Sequence, residues 1–227
     1  MVTAIVLAAG RSTRMGGGSN KQFIELLGKP IICYSLAAFE LCGAVDTVIL
    51  VRRPDYAQEA EQIVREFGFQ KVVAVTDGGV ERQNSVWNGL EKCDPATEIV
   101  AVHDGARPLV TSALIASTIA SARSFETGIA ATKVVDTIKE VNDDKTVVRT
   151  VDRTRLWAVQ TPQTVRYALL KEAYTKIFAD KALVTDEAAA VESLGQKVHL
   201  VETPFLNLKI TMSSDLAMAE ALLRVRS

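Results

Sequence analysis

Apolar residues recur along this chain in two alternating patterns: short uninterrupted runs, and longer stretches in which they return every three or four positions. Residues 2–7 form a run of the first kind, β-branched and without a polar break, which predicts a strand buried on both faces. Residues 45–51 repeat it, and 71–76 and 98–102 read as further strands. The second pattern predicts helices over residues 30–41, opened by Pro30, over 55–67, stopped by Gly68, and over 81–92. Thr111 suits the N-cap of a further helix to residue 124, and residues 23–30 read as a short strand and turn. Such alternation predicts an α/β fold: a mainly parallel sheet with helices on both faces. Ligands of these sheets gather at the carboxyl ends of strands. The loops at 8–21, 77–82 and 103–108, each following a strand, should therefore converge on one rim.

From residue 134 the pattern changes. Residues 134–141 and 146–153 read as two strands joined by the polar turn Asn142-Asp143-Asp144-Lys145. Neither is apolar on both faces, so 134–160 is expected to protrude as a β-arm whose apolar face needs a partner, such as a second copy of the chain. Residues 156–163 return the chain to the body. Helices are then expected over 164–178 and 185–194, strands over 197–202 and 206–211, and a last helix, capped by Ser213 or Ser214, to residue 224. The whole, 1–227, reads as a single domain carrying that arm, long enough for a sizeable core.

Composition removes several function classes. With 23% charged residues and a formal net charge of −1, the chain lacks the basic excess of a nucleic-acid or anionic-membrane binder. No apolar run reaches the ~18 residues of a membrane span. Met1 leads directly into the first strand, leaving no space for a signal peptide, which points to the cytoplasm, or to a plastid stroma had a transit peptide been removed. Cys33, Cys42 and Cys93 lack C-x-x-C spacing and are expected as reduced structural thiols. Two histidines, His103 and His199, make a His-based zinc site a poor expectation.

The sharpest chemical signal is the first loop. At Ala8, Ala9 and Gly10 the side chains nearly vanish, so another molecule can approach the backbone and meet its N–H groups. Arg11, Arg14 and Lys21 follow, with Gly16-Gly17-Gly18-Ser19 as a hinge. Small residues, free amides and cations together describe a site for polyphosphate. The loop is not a dinucleotide fingerprint, because Gly10 is followed by Arg11 and Ser12, nor a Walker A loop, because no Gly-Lys-Ser/Thr triplet follows. Phosphoryl or nucleotidyl transfer demands mostly charge neutralisation at phosphorus. Arg14, a fork for phosphate oxygens, and Lys21, a point charge, are accordingly the candidate catalytic residues.

Three further segments carry candidate chemistry. In Gly78-Gly79-Val80-Glu81-Arg82-Gln83-Asn84-Ser85 the glycines admit a flat ligand such as a base, and Ser85 shares a helical face with Arg82. Arg82 either orients this loop or is salt-bridged in an ordinary turn. Asp104 and Arg107, three residues apart at a strand end, can bind a polyol hydroxyl or metal on one side and phosphate on the other, or pair with each other and shape the turn. His103 is expected to be a core residue bonded to backbone. Lys209 lies in an apolar stretch where its charge needs a partner, an anionic ligand being one.

Taken in order, Leu7 to Met15, Asn20 to Phe23, Gly78 to Ser85, His103 to Pro108, Leu156-Trp157-Ala158-Val159-Gln160-Thr161-Pro162-Gln163, Thr185-Asp186-Glu187 and Asn207-Leu208-Lys209-Ile210 resemble the 2-C-methyl-D-erythritol 4-phosphate cytidylyltransferase family over nearly the whole chain. The resemblance implies a Rossmann-like nucleotidyltransferase domain, a homodimer joined through the β-arms, and transfer of CMP from CTP to methylerythritol phosphate. The products would be 4-diphosphocytidyl-2-C-methyl-D-erythritol and pyrophosphate, in non-mevalonate isoprenoid synthesis. Carried over by motif, Ala8, Ala9, Gly10, Gly79 and Ser85 would hold the cytidine, and Arg14 and Lys21 the triphosphate. Asp104, Arg107, Thr161 and Lys209 would face the sugar phosphate, with Thr137 and Arg153 of the other subunit. Mg²⁺ would ride mainly on the CTP phosphates, with no protein metal site. Val80 stands where the family often has aspartate, so a nucleotide contact from that side chain is lost. A ribitol 5-phosphate cytidylyltransferase is the nearest alternative. An oxidoreductase is disfavoured by the missing fingerprint, and a nucleotide-sensing module would bind CTP without releasing pyrophosphate.

Overall fold

The computed structural model describes residues 1–10 and 21–226, the side chains of Lys21 and Arg226 aside. Its centre is a seven-stranded sheet in the order β11-β7-β10-β6-β1-β4-β5. The strands are β1 (Val2–Ala8), β4 (Thr47–Arg52), β5 (Val72–Asp77), β6 (Ile99–Asp104), β7 (Thr127–Lys133), β10 (Trp157–Arg166) and β11 (Leu200–Glu202). Strand β1 lies parallel between β4 and β6, with Ile5 beside Ile49 on one side and Val102 on the other. Strand β10 runs antiparallel to both neighbours, β6 and β7, and is the exception in the mainly parallel sheet.

Why β1 reads as an unbroken apolar run is visible in the core. Alternate residues enter opposite layers. Val2, Ala4, Val6 and Ala8 pack with Ile32, Leu36 and Phe39 of α1 (Ile31–Glu40), Ile63 of α2 (Ala57–Glu66) and Ile115 and Ile119 of α4 (Ser112–Phe125). Ile5 and Leu7 face Val86 and Leu90 of α3 (Arg82–Leu90), Tyr174 and Ile177 of α5 (Tyr167–Ala179) and Val191 of α6 (Glu187–Glu192). With helices on both faces, each β1 side chain is buried, which fixes the strand's register and so the place where its carboxyl end opens.

Several elements differ from the sequence expectation. Strand β7 occupies residues with no expected element: Thr127, Gly128, Ala130 and Ala131 are too small to mark a strand by hydrophobicity, yet all are buried. Residues 164–166, expected to begin a helix, instead complete β10, where the β-branched pair Thr164 and Val165 is fully buried. Residues 206–211 form no strand; they are fastened by one backbone bond, Ile210 N–H to the Ala106 carbonyl, and by side chains described below. The last helix, α7, spans Ser213–Arg226. The expected arm is shorter than 134–160: its hairpin is β8 (Ile138–Val141) with β9 (Val147–Val151), whereas Trp157 to Val159 pair with β7 in the main sheet. Val135, Val141, Val147 and Val148 are exposed there. The remaining short strands, β2 (Glu25–Leu26) and β3 (Lys29–Pro30), make the expected strand and turn.

Cys33, Cys42 and Cys93 are free, and burial pushes the Cys33 and Cys93 thiols up to about 12, in keeping with inert structural thiols. Among the described residues, no helix is long and apolar enough to cross a membrane.

Helix α4 lies against β7 with no room for a side chain at Gly128, where a Cβ would stand 2.1 Å from the Thr118 carbonyl oxygen. Because the obstruction is backbone, Gly128→Ala is expected to destabilise the fold by about 1–3 kcal/mol, read as a lower urea midpoint at unchanged m-value.

Candidate active site

The carboxyl ends of β1, β5 and β6 open on one rim, as expected. A cavity of about 400 Å³ there is lined by Ala9 and Gly10 after β1, Gln22, the segment from Gly79 to Arg82 before α3, Ser85, Asp104 and Ala106 after β6, and Lys209. The first two loops touch: a Cβ on Gly78 would stand 2.2 Å from that of Ala9, so glycine is needed for the approach. The Gly79 N–H donates to Ser85 Oγ at 3.0 Å, which holds the loop over the first turn of α3. A second cleft of about 170 Å³ is lined by Arg107, Val159, Gln160, Thr161, Gln163, Thr185 and Asp186. Both contain Arg82, Asp104 and Lys209, so these three form their common wall.

Asp104 is the centre of that wall. Its Oδ2 accepts from Lys209 Nζ at 2.6 Å and its Oδ1 from Arg82 Nε at 3.3 Å. Arg82 turns its other face to Glu187, with Nη1 to Oε1 at 2.6 Å and Nη2 to Oε2 at 3.0 Å. Glu187 is fully buried and accepts a third bond from the Tyr174 hydroxyl at 3.0 Å. Burial opposes ionisation of Asp104, but Arg82, Lys209 and Arg107 outweigh it and hold the carboxyl well below the usual carboxylate range. Burial likewise opposes the charge on Arg82, yet Glu187 and Asp104 raise its pKa further. The wall is therefore a fixed array of charges at neutral pH.

Local sequence explains how these groups are held. Asp186 caps α6 by accepting from Ala189 N–H, which starts the helix with Glu187 turned inward. Two glutamines pin this helix entrance. Gln83 donates to the Ala182 carbonyl and accepts from Val184 N–H; Gln163 accepts from Ala188 N–H and donates to Asp186. Arg107 donates to the Asn207 carbonyl at 2.7 Å, and Asn207 donates to the Thr161 carbonyl at 2.8 Å. The segment before α7 is thus tied to the cleft by side chains, which is why it makes no ladder.

The structure gathers most of the described candidate residues at these two clefts. Ala9, Gly10, Gly79, Ser85, Asp104 and Lys209 line the larger cavity, and Arg107 and Thr161 the smaller. Ala8 is fully buried in the core beside them. Thr137 and Arg153 are exposed beside the β8–β9 hairpin and line neither; Arg153 donates to the Val135 carbonyl. Arg14 and the tract Gly16 to Ser19 lie outside the described residues, as does the side chain of Lys21, whose backbone opens a short 3-10 turn, Lys21–Phe23. Of the alternatives left open, Lys209 finds its partner inside the protein, in Asp104. The Arg107 guanidinium bonds the Asn207 carbonyl, and its backbone N–H donates to the Asp104 carbonyl at 3.0 Å. His103 is the fully buried core residue expected, and its Nδ1 meets the Thr161 hydroxyl at 3.0 Å. Arg82 and Glu187, joined to Asp104 in this wall, were not among the expected site residues.

An open α/β sheet with a glycine-lined crevice and clustered charges across its strand ends defines a nucleotidyltransferase-type protein. The sequence profile of 2-C-methyl-D-erythritol 4-phosphate cytidylyltransferase matches residues 2–225. Proteins of that name from Caldanaerobacter subterraneus subsp. tengcongensis and Geobacillus kaustophilus are 41% and 44% identical to this chain. The former match covers 98% of this chain and 99% of the relative; the latter, 98% and 97%. The crystal structure of 4-diphosphocytidyl-2C-methyl-D-erythritol synthase from Anaerococcus prevotii superposes with a TM-score of 0.86 at 31% identity, covering 98% of each chain. The cytidylyltransferase from Thermus thermophilus gives 0.80 at 30%, covering 97% of this chain and 98% of its own. The chain belongs to the 2-C-methyl-D-erythritol 4-phosphate cytidylyltransferase family, a family of nucleotidyltransferases.

His103 offers a test of how dry the base of the site is. It is fully buried, and desolvation lowers its pKa from 6.5 to about 3 despite the attraction of Asp104. Above pH 6.5 it is neutral folded or unfolded and adds no pH dependence. Below that value the unfolded chain takes up a proton that the folded chain refuses, so stability falls as pH falls toward 3. Between pH 6.5 and 5 the wild-type slope should exceed that of His103→Asn by approaching one proton, about 1.4 kcal/mol per pH unit, in urea titrations. Equal slopes would mean that His103 titrates normally.

Proposed function

We propose that this chain transfers CMP from CTP to 2-C-methyl-D-erythritol 4-phosphate, releasing pyrophosphate and forming 4-diphosphocytidyl-2-C-methyl-D-erythritol. The observation that carries this reading is the pair of clefts meeting at Asp104, Arg82 and Lys209. One has the glycine backbone a nucleotide needs; the other is a small polar space for a sugar phosphate. Their common wall is where the two reactants meet.

A phosphate monoester is largely ionised near neutral pH, so its oxygen attacks the α-phosphorus of CTP in line without an enzyme nucleophile. Ala8, Ala9, Gly10, Gly79 and Ser85 receive the cytidine, the small residues by backbone approach. Arg14 and Lys21 grip the triphosphate and offset charge on the transition state and leaving pyrophosphate. Asp104, Arg107, Thr161 and Lys209 orient the acceptor. The ion pair of Lys209 with Asp104 places the lysine at the wall.

Among the described residues, no group of three or more His, Cys, Asp or Glu side chains could cage a metal, and both oxygens of Asp104 already engage cations. That donor set fits an Mg²⁺ ion carried by substrate phosphates with at most one protein carboxylate. When bound, the ion neutralises triphosphate charge.

The exposed valines of the β8–β9 hairpin support an arm that packs on a second copy of the chain. In that homodimer Thr137 and Arg153 reach the partner's acceptor cleft. The setting is the cytoplasm, or a plastid stroma if a transit peptide has been removed.

Pyrophosphate release from CTP, assayed with methylerythritol phosphate and ribitol 5-phosphate in parallel, tests the acceptor; turnover with the ribitol ester alone would overturn the assignment. Lys21→Ala should lower kcat by roughly 10²–10³-fold with little change in the KM for CTP, and a near-normal kcat would remove Lys21 from the mechanism. For the arm, Lys21→Ala and Arg153→Ala chains are each expected to be impaired. A random mixture should recover about one quarter of wild-type activity, since half its dimers are mixed and each holds one intact site.

A further inference from the structure

We infer that Gln160 reads a hydroxyl of the acceptor and so helps set which polyol phosphate is used. This rests on the acceptor lying in the smaller cleft, as proposed above, and adds to that reading a residue with no role so far.

The argument starts from which polar atoms of the cleft are already engaged. Thr161 Oγ1 accepts the Asp104 N–H at 3.1 Å and shares a second hydrogen bond with His103 Nδ1 at 3.0 Å. Asp186 accepts from Gln163 and from the Ala189 N–H. Asp104 holds Lys209 and Arg82. Gln163 uses its amide fully: its Oε1 accepts from Ala188 N–H, and its Nε2 donates to Asp186 and, at 3.2 Å, to the carbonyl of Gln160.

The two glutamines of this strand therefore divide the work. Gln163 fixes the Gln160 backbone from within. Gln160 lines the same cleft, yet its Oε1 is buried and has no hydrogen-bond partner among the described residues. Arg107, from a distant segment and in the same lining, has a buried Nε in the same condition. A buried acceptor left unpaired costs far more than a satisfied bond returns, so an unpaired acceptor on a side chain that lines a ligand cleft marks a group that a ligand can complete.

The chemistry of the missing partner follows. Oε1 only accepts, so the ligand must present a donor, and a polyol supplies O–H groups. The phosphate end belongs at the cationic wall of Arg82, Arg107 and Lys209, which leaves the hydroxylated carbon chain toward Gln160 and its neighbour Val159. Val159, 40% exposed, gives that end of the cleft an apolar surface on which a C–H or methyl face can rest. A site built around a hydrogen bond rejects an analogue that lacks the donor more strongly than an apolar pocket rejects an added hydroxyl.

The test uses the full-length protein in the pyrophosphate-release assay with methylerythritol phosphate and its singly deoxygenated analogues. Gln160→Leu keeps the size of the side chain and removes the acceptor. It is expected to lower kcat/KM for methylerythritol phosphate by roughly 10–100-fold while leaving the KM for CTP within about twofold, the latter also showing that the variant is folded. Against one deoxy analogue the penalty should shrink to less than about threefold, because wild type and variant then lack the same bond. Gln160→Glu, which retains an acceptor oxygen, should recover part of the loss. An unchanged kcat/KM for methylerythritol phosphate, or an equal penalty on every analogue, would overturn the role of Gln160 while leaving the overall reaction standing. Wild-type protein that releases no pyrophosphate with this acceptor would instead overturn the reaction and this inference with it.

Discussion

A carboxylate buried at the end of a strand stays ionised only where cations meet it, and the architecture around Asp104 is organised by that requirement. Two cations contact it, Arg82 from the start of α3 and Lys209 from the segment before α7. Arg82 would itself be a costly buried charge with half a partner, and Glu187 supplies the rest. Truncating Arg82 would leave the fully buried Glu187 without its guanidinium, a loss of ~3–5 kcal/mol for a buried charge stripped of its partner.

This constraint links the core to the chemistry. Asp104 is placed by β6, whose register is fixed by β1 on one side and by β10 on the other. Strand β10 also delivers Thr161, which holds the Asp104 backbone, and Gln163, which pins the entrance of α6 and with it Glu187. Its pairing with β7 shifts register between Val159 and Gln163, where Pro162 has no N–H to donate. Residues 160–162 therefore pair with no residue of β7, and Gln160 and Thr161 among them line the smaller cleft. One antiparallel strand in a parallel sheet thus carries much of the smaller cleft, while the segments at the ends of β1, β5 and β6 line the larger.

Much of this was legible in the sequence, for identifiable reasons. Buried parallel strands such as β1 and β6 announce themselves by continuous apolar runs, so their ends and the loops that follow them are legible in the sequence; β5, at the sheet edge without a buried residue, is marked by its β-branched run alone. The family resemblance was carried by those same loops. What escaped notice depended on partners. Lys209 visibly needed a counter-charge, but nothing local names Asp104, 105 residues away. Glu187 follows an evident helix cap, and an acidic pair at a helix start reads as capping and dipole compensation rather than as a buried anchor. Strand β7 is built of small residues and marks itself by packing, not by hydrophobicity. The stretch at 206–211 alternates like a strand but directs its bonds to the cleft.

The spacing of the charge cluster along the chain also sets when the site can exist. Arg82 and Glu187 are separated by 105 positions, as are Asp104 and Lys209. At a synthesis rate of ~5–20 residues per second, each cation or carboxylate that emerges first waits about 5–20 s for its partner to leave the ribosome. During that interval the nascent chain carries the nucleotide loops without the wall that divides the two clefts. Completion of the wall consequently waits for the C-terminal segments that carry Glu187 and Lys209.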